Sequence, residues 1–513
     1  IIHNSPTPGT STGPTVDIYV NGELLPELTG VPYRGATEFL EVPANVAVEV
    51  AVAVSPSNSV DDAIATFPLG QLAEDVNYTI IASGVVGDMD TPFDLVVNAN
   101  AQTEAGMPDM VDLNVYHGST NAPAVDVDAR TVGTLISGLS YGAYSDYLSV
   151  APQLYYLDVR AAGNPDIVAT FAADLSTLAG GAATVFASGL IGAEPGFGLF
   201  AALPSGDVLE LPATAVARVQ VIHNSPDPIV DIYVDGALTL DDFEFREASE
   251  FLFVDAGTEI NIGVALSTSA SVEDTVVNFP VVLENGFTYV AAADGLVDND
   301  DFPFMLHVNE MAKEVPEDDA TTEFAVLHGS PGAPNVDIDI RTVGNIVSDL
   351  PYSNYTDYLP ADPGIYYLDV RAAGSPDIVA TFEADLTDFG GQAATVFASG
   401  FLGGDPAFGL FAALPDGTVV EFPINPVARL QVIHNSPSPT VDIYANGALL
   451  LDDFEFRDAS EFAFVDAEVE INIGVALSDS ESVEDTLVNI PVMFENNRTY
   501  VAAANGFVGD DDF

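Results

Sequence analysis

The stretch His223-Asn224-Ser225-Pro226-Asp227-Pro228-Ile229-Val230-Asp231-Ile232-Tyr233-Val234 has close relatives at four other places in the chain. They open at His3-Asn4-Ser5-Pro6, His117-Gly118-Ser119-Thr120, His328-Gly329-Ser330-Pro331 and His434-Asn435-Ser436-Pro437, and each runs through a proline to Val-Asp-Ile or Val-Asp-Val. These phrases account for five of the six histidines, at successive intervals of 114, 106, 105 and 106 residues. An interval of that size is one ordinary domain.

Outside the phrase the repeats alternate. His117 to His328 and His223 to His434 are both 211 residues, so the true period is a two-domain unit. Asp241-Asp242-Phe243-Glu244-Phe245-Arg246 returns as Asp452-Asp453-Phe454-Glu455-Phe456-Arg457 in one type, A. Tyr155-Tyr156-Leu157-Asp158-Val159-Arg160-Ala161-Ala162-Gly163 returns from Tyr366 to Gly374 in the other, B. The order is A-B-A-B-A over residues 1–110, 111–215, 216–320, 321–426 and 427–513, here A1, B1, A2, B2 and A3. A1 diverges most and carries an insertion at residues 7–14. The chain opens inside the His phrase, and A3 stops where A2 continues through Pro303-Phe304-Met305. Both ends are therefore expected to lie inside domains, completed by a longer chain or by an exchanged strand.

Apolar residues alternate with period two, as in half-buried strands. In Glu259-Ile260-Asn261-Ile262-Gly263-Val264-Ala265-Leu266, the Ile, Val and Leu side chains are predicted to share a face. Clusters of Pro, Gly, Asn and Asp punctuate such runs, and no long segment has helical periodicity. About seven short strands in ~100 residues predict an all-β chain of five tandem immunoglobulin-like β-sandwiches. The His-x-Ser-Pro phrase with Val16-Asp17-Ile18-Tyr19-Val20-Asn21-Gly22 resembles the secreted family called domain of unknown function 4397. That resemblance implies tandem surface-exposed β domains. The B units depart from the pattern at Asp128-Ala129-Arg130 and Asp339-Ile340-Arg341.

With 78 acidic residues against 11 basic ones, the formal net charge is −67. Such a field repels nucleic acid and anionic membranes, and no apolar run reaches the ~18 residues of a membrane helix. An acidic surface with one Lys, Lys313, resembles the halophilic type, in which salt screens the self-repulsion, and a medium rich in divalent cations would serve equally well. The absence of cysteine excludes disulfides, thiolate metal sites and Cys nucleophiles.

Each motif histidine (His3, His117, His223, His328, His434) is expected to be structural, satisfying a backbone group at a Ser-Pro turn. Nine of the ten arginines recur by type and are expected to hold local carboxylates, with Arg160 beside Asp158 as a candidate pair. The candidate Ca²⁺ ligands are Asp298, Asp300 and Asp301 in A2 and Asp510, Asp511 and Asp512 in A3, though the EF-hand spacing is missing. Candidate glycosylation sites are Asn77, Asn354 and Asn497, with Asn77 and Asn497 predicted in the same turn. No nucleophile elbow, phosphate loop or His-Glu-x-x-His occurs, so the chain is expected not to be an enzyme and to need no cofactor. Short Pro-containing linkers point to semi-rigid series of domains. The expectation is a segment of an extracellular or cell-surface filament or stalk, partnered end to end by its own copies or further repeats. The alternative is an adhesin or carbohydrate-binding array using Tyr141, Tyr144, Tyr352 and Tyr355 to hold surface glycans.

Overall fold

Alternating sequences with no helical stripe can bury their apolar faces only sheet on sheet. The computed structural model describes residues 1–297 and 299–506. Its strands form ten sheets that pair into five sandwiches. The only helices among the described residues are three-residue 3-10 turns. Two compact units are distinguished: the first holds A1 and B1 with residues 216, 255–257 and 284–286, and the second holds the rest of A2 with B2 and A3.

B2 illustrates the topology. Thr322–Leu327, which leads into the His phrase, pairs parallel with Ala393–Ser399 and antiparallel with Leu359–Ala361. The opposing sheet pairs Val336–Ile340, the Val-Asp strand, with Gly344–Leu350 and Ile365–Ala372. Ile338, Leu368, Phe382, Val396 and Leu410 close the core between them. The A domains share this frame, which explains why one motif serves both types. A2 contains eight strands and B1 nine, somewhat more than the seven expected. In Glu259–Leu266 the predicted face is buried at Ile260 and Val264, half-buried at Ile262 and exposed at Leu266, where the strand reaches the rim.

A1 departs from this frame at its first strand, among other places. Its first strand is Ile2–His3, where A2 has the eight residues Val216–His223. Alongside it lies a cleft of about 800 Å³ lined by Ile1, Val20, Leu28, Val48, Leu72 and Tyr78 among others.

The polar residues of the motif hold this frame locally. Each motif histidine is buried and bonds through Nε2 to a proline carbonyl at 2.8–2.9 Å: Pro14, Pro123, Pro228, Pro334 and Pro439 in turn. A carbonyl only accepts, so Nε2 carries the proton. In four of the five, Nδ1 receives the backbone N–H two residues on, at 3.3–3.5 Å. Burial pushes the titration of His3, His117, His223 and His328 below the usual range.

The motif aspartate splits its oxygens between two loops. Asp17 accepts from Gly30 N at 2.9 Å and from Ser57 N and Oγ at 2.8 and 2.6 Å. Asp126 does the same with Gly138 N and Gly163 N, and Asp337 with Asp349 N and Gly374 N. Burial pushes the Asp17 carboxyl up, but hydrogen bonds from Ser57, Ser55 and Gly30 outweigh it and bring it down to about 2. A folded value below the unfolded one means stability gained above about pH 4 and lost as pH falls through about 2. Asp17→Asn should destabilise A1 by about 1–3 kcal/mol at pH 7, and by less as the pH falls from ~4 to ~2. Urea unfolding followed over that pH range measures both.

Candidate functional site: the seams between A and B domains

The strand that ends at His223 fixes more than its own sandwich. Its carbonyl accepts from Arg246 N at 2.6 Å, closing a turn in which Arg246 has φ 71°. Arg34 and Arg457 take the same left-handed conformation at φ 66° and 77°. Such backbone is uncommon for a residue with a Cβ. In the second unit it aims the Arg246 guanidinium at B2. Nε donates to Ser399 Oγ at 3.1 Å, Nη2 donates to the Ala407 carbonyl at 2.7 Å, and the group lies 4.3 Å from the Phe411 ring centre. In the first unit Arg34 does likewise with Ser188, the Gly196 carbonyl and Phe200.

The residue after the histidine completes this seam. Asn224 Nδ2 donates to the carbonyls of Gly329 and Ala398, at 2.8 and 3.2 Å, and Asn4 Nδ2 donates to that of Ala187 at 3.0 Å. A Cβ on Gly329 would lie 2.2 Å from Asn224 Nδ2, and one on Gly118 2.0 Å from Asn4 Nδ2. Two side chains cannot share that volume. The same Cβ would also lie 2.8 Å from the Ala398 carbonyl oxygen in B2 and 2.6 Å from that of Ala187 in B1, so the B domain's own backbone and the facing asparagine both call for glycine here. An apolar cluster backs the contact, with Ile222, Phe251, Val290 and Ala292 of A2 against Leu327, Phe397, Phe411 and Ala413 of B2.

The seam from B to the following A uses a different arginine. Arg341 is almost fully buried and clasps the Asp369 carboxylate through Nε and Nη2 at 3.0 and 2.9 Å. It also donates to Thr381 Oγ1 in B2, and to Asn496 Oδ1 and the Val427 carbonyl in A3. Arg130 repeats the set with Asp158, Thr170, Asn285 and the Val216 carbonyl, all within the first unit. A carboxylate, a hydroxyl, an amide oxygen and a carbonyl satisfy the planar donor fork.

The arginine expectation therefore holds in part. Arg130, Arg341, Arg218 (paired with Glu314), Arg160 and Arg371 (paired with Asp339) do hold carboxylates. Arg34 and Arg246 instead engage a hydroxyl, a carbonyl and a ring. Arg160 sits nearer Asp128, at 3.4 Å, than Asp158, at 3.9 Å, because Arg130 already occupies Asp158. The four tyrosines expected on the surface are half-buried at the A-to-B seams. Tyr355 donates to the His307 carbonyl and Tyr144 faces that of Val96.

Among the candidate ion ligands, Asp300 and Asp301 are exposed, in a turn held by Asn299 Oδ1 accepting from Asp301 N and Phe302 N. Asp298, Asp510, Asp511 and Asp512 lie outside the described residues. Carboxylates do gather at Asp231, Asp241 and Asp242, and again at Asp442, Asp452 and Asp453. Asp231 already accepts from Asp242 N and Ser269 Oγ, and loss of water followed by the like charges of Asp242 and Asp231 pushes Asp241 up. Asn77, Asn354 and Asn497 are all exposed. Measured from the strand register, Asn77 lies five residues before the partner of His3 and Asn497 seven before that of His434, so they occupy one turn at different positions.

A seam built on complementary volumes gives a double-mutant test. Gly329→Asn should weaken the A2–B2 contact by about 1–3 kcal/mol through overpacking. Adding Asn224→Gly should recover part of that loss, an interaction term calorimetry of the four chains would reveal.

No curated protein matches the chain. Among solved structures it is similar to "The Bacillus anthracis TIE protein", at 9% identity over 85% of this chain and 76% of that one. The TM-score of 0.14 is too low to bear on fold or function. The model of one family, "Domain of unknown function (DUF4397)", matches residues 1–128, 111–202, 217–339, 322–416 and 428–513. With all five repeats matched, the chain belongs to the DUF4397 family as a tandem array of its domains.

Proposed function

We propose that this chain is a segment of an extracellular or cell-surface filament or stalk, in which A-B pairs follow one another in series. The observation that carries the reading is the repetition of dedicated seams. Asn4 with Arg34 and Asn224 with Arg246 hold B1 and B2 by the same bonds, while Arg130 and Arg341 hold the following A segments. Flexibly tethered binding modules need no buried arginine at each junction, whereas a series that must keep its length benefits from a fixed one.

Asn435 and Arg457 of A3 keep the sequence and backbone of the A-type seam. Further repeats or copies of the chain, placed end to end, are the partners this reading assigns. Its acidic surface suits a saline exterior, and no catalytic step or cofactor belongs to it. An adhesin reading has less support, since Tyr144 and Tyr355 are turned into the seams.

Electron microscopy of purified material in saline should reveal rods or fibres with a repeat of one A-B pair. Scattered compact particles with no such repeat would overturn the reading.

A further inference from the structure

The A2–B2 seam contains a carboxyl that its counterpart in A1 lacks. Asp294 ends the strand Thr288–Asp294 and is fully buried. The strand register places Ser83 of A1 and Asn505 of A3 at the same position, both neutral. Asp294 Oδ1 accepts from Gly295 N at 2.7 Å, while Oδ2 has no hydrogen-bond partner. Beside it, Asn224 spends Nδ2 on the Gly329 and Ala398 carbonyls, which leaves its own Oδ1 buried without a donor. Asn224 Nδ2 and Asp294 Oδ1 are 3.5 Å apart, so two neighbouring side chains each hold an orphaned acceptor. A buried acceptor left unpaired is costly, and one proton between the two would satisfy both.

We propose that Asp294 makes the A2–B2 seam a pH-dependent joint, held most firmly when its carboxyl is protonated and donates to the Asn224 amide oxygen. Besides Asn224 Nδ2 at 3.5 Å, the side-chain donor that faces the carboxylate is the Tyr352 hydroxyl of B2. Burial keeps the Tyr352 and Tyr355 hydroxyls protonated. His307 and His328 flank the Tyr352 ring at 6.2 and 6.0 Å, and burial holds both rings toward the neutral form. The seam's cation, Arg246, is occupied by Ser399, the Ala407 carbonyl and Phe411. Burial, only partly opposed by Gly295 N and Tyr352, raises the Asp294 carboxyl to about 7.

A folded value above the unfolded one means seam stability complete below about pH 4, lost as pH rises through about 7, and level beyond. Buried His3, His117, His223 and His328 slope the other way, since they favour the neutral ring and strengthen the fold as pH rises. The informative quantity is therefore the difference between the chain and Asp294→Asn. The amide of that variant supplies the missing donor at every pH, and A3 already tolerates Asn at the position.

Calorimetry from pH 4 to 8 should find the two chains alike near pH 4. By pH 8 the unfolding equilibrium should favour the folded state about tenfold or more in the variant. Asp294→Ser, the residue of A1, should also remove the slope. The carboxyl carbon of Asp294, followed by ¹³C NMR, should titrate well above an ordinary aspartate. Parallel stability curves, or a carboxyl already ionised at pH 5, would overturn the proposal. So would a midpoint that moves when sodium is replaced by choline at fixed ionic strength, because a bound cation would then be the donor's substitute.

Discussion

In both A-to-B seams an asparagine amide, together with a carbonyl oxygen of the B domain, occupies the volume that a Cβ on the facing residue would need, so the facing residue is glycine. The pairing is asymmetric by construction. An A domain supplies the side chain and a B domain supplies the space, and the roles cannot be exchanged without leaving either a clash or a void. The two-domain period and the fixed order of domains are consistent with that asymmetry. A seam between identical surfaces would have left the five domains free to remain alike.

Charge works with this geometry. The chain has only 11 basic residues to set against 78 acidic ones, and the recurring arginines stand at the seams or beside the strands that feed them. Exposed carboxylates more than a Debye length apart hardly sense each other in saline. A guanidinium buried between two domains is screened far less, so its bonds to Asp369, Asn496 and the Val427 carbonyl persist where surface attraction fades. Arg341 with Asp369 would be a poor source of stability if left half satisfied. Its remaining donors reach the neighbouring domain, which turns a local ion pair into a joint.

The repeat, the all-β class and the structural histidines were legible in the sequence because each rests on short-range pattern: spacing, period-two alternation and one residue type at fixed intervals. The alternation of Asn4 and Asn224 with Gly118 and Gly329 stood in the same phrase, but its meaning needed the packing of one sandwich against the next. Arg160 illustrates the other difficulty. Its place beside Asp158 on one strand face suggested a pair, and it does lie 3.9 Å away, but the closer partner, Arg130, arrives from the end of a neighbouring strand, and strand pairing is not written in local periodicity. The tyrosines were misplaced for the same reason, since an aromatic beside a turn looks exposed until a second domain covers it.

Invariant and alternating positions divide the work between them. At the positions shared by all five repeats, polar atoms are turned inward: the histidine nitrogens on proline carbonyls and turn amides, the motif aspartates on loop N–H groups. Their hydrogen-bonding capacity goes to the domain itself. At the positions that alternate, Asn against Gly and Arg against a small residue, polar atoms are turned toward the next domain. Here these alternating polar positions sit where domain meets domain, and the neighbour they engage is another domain of the same family.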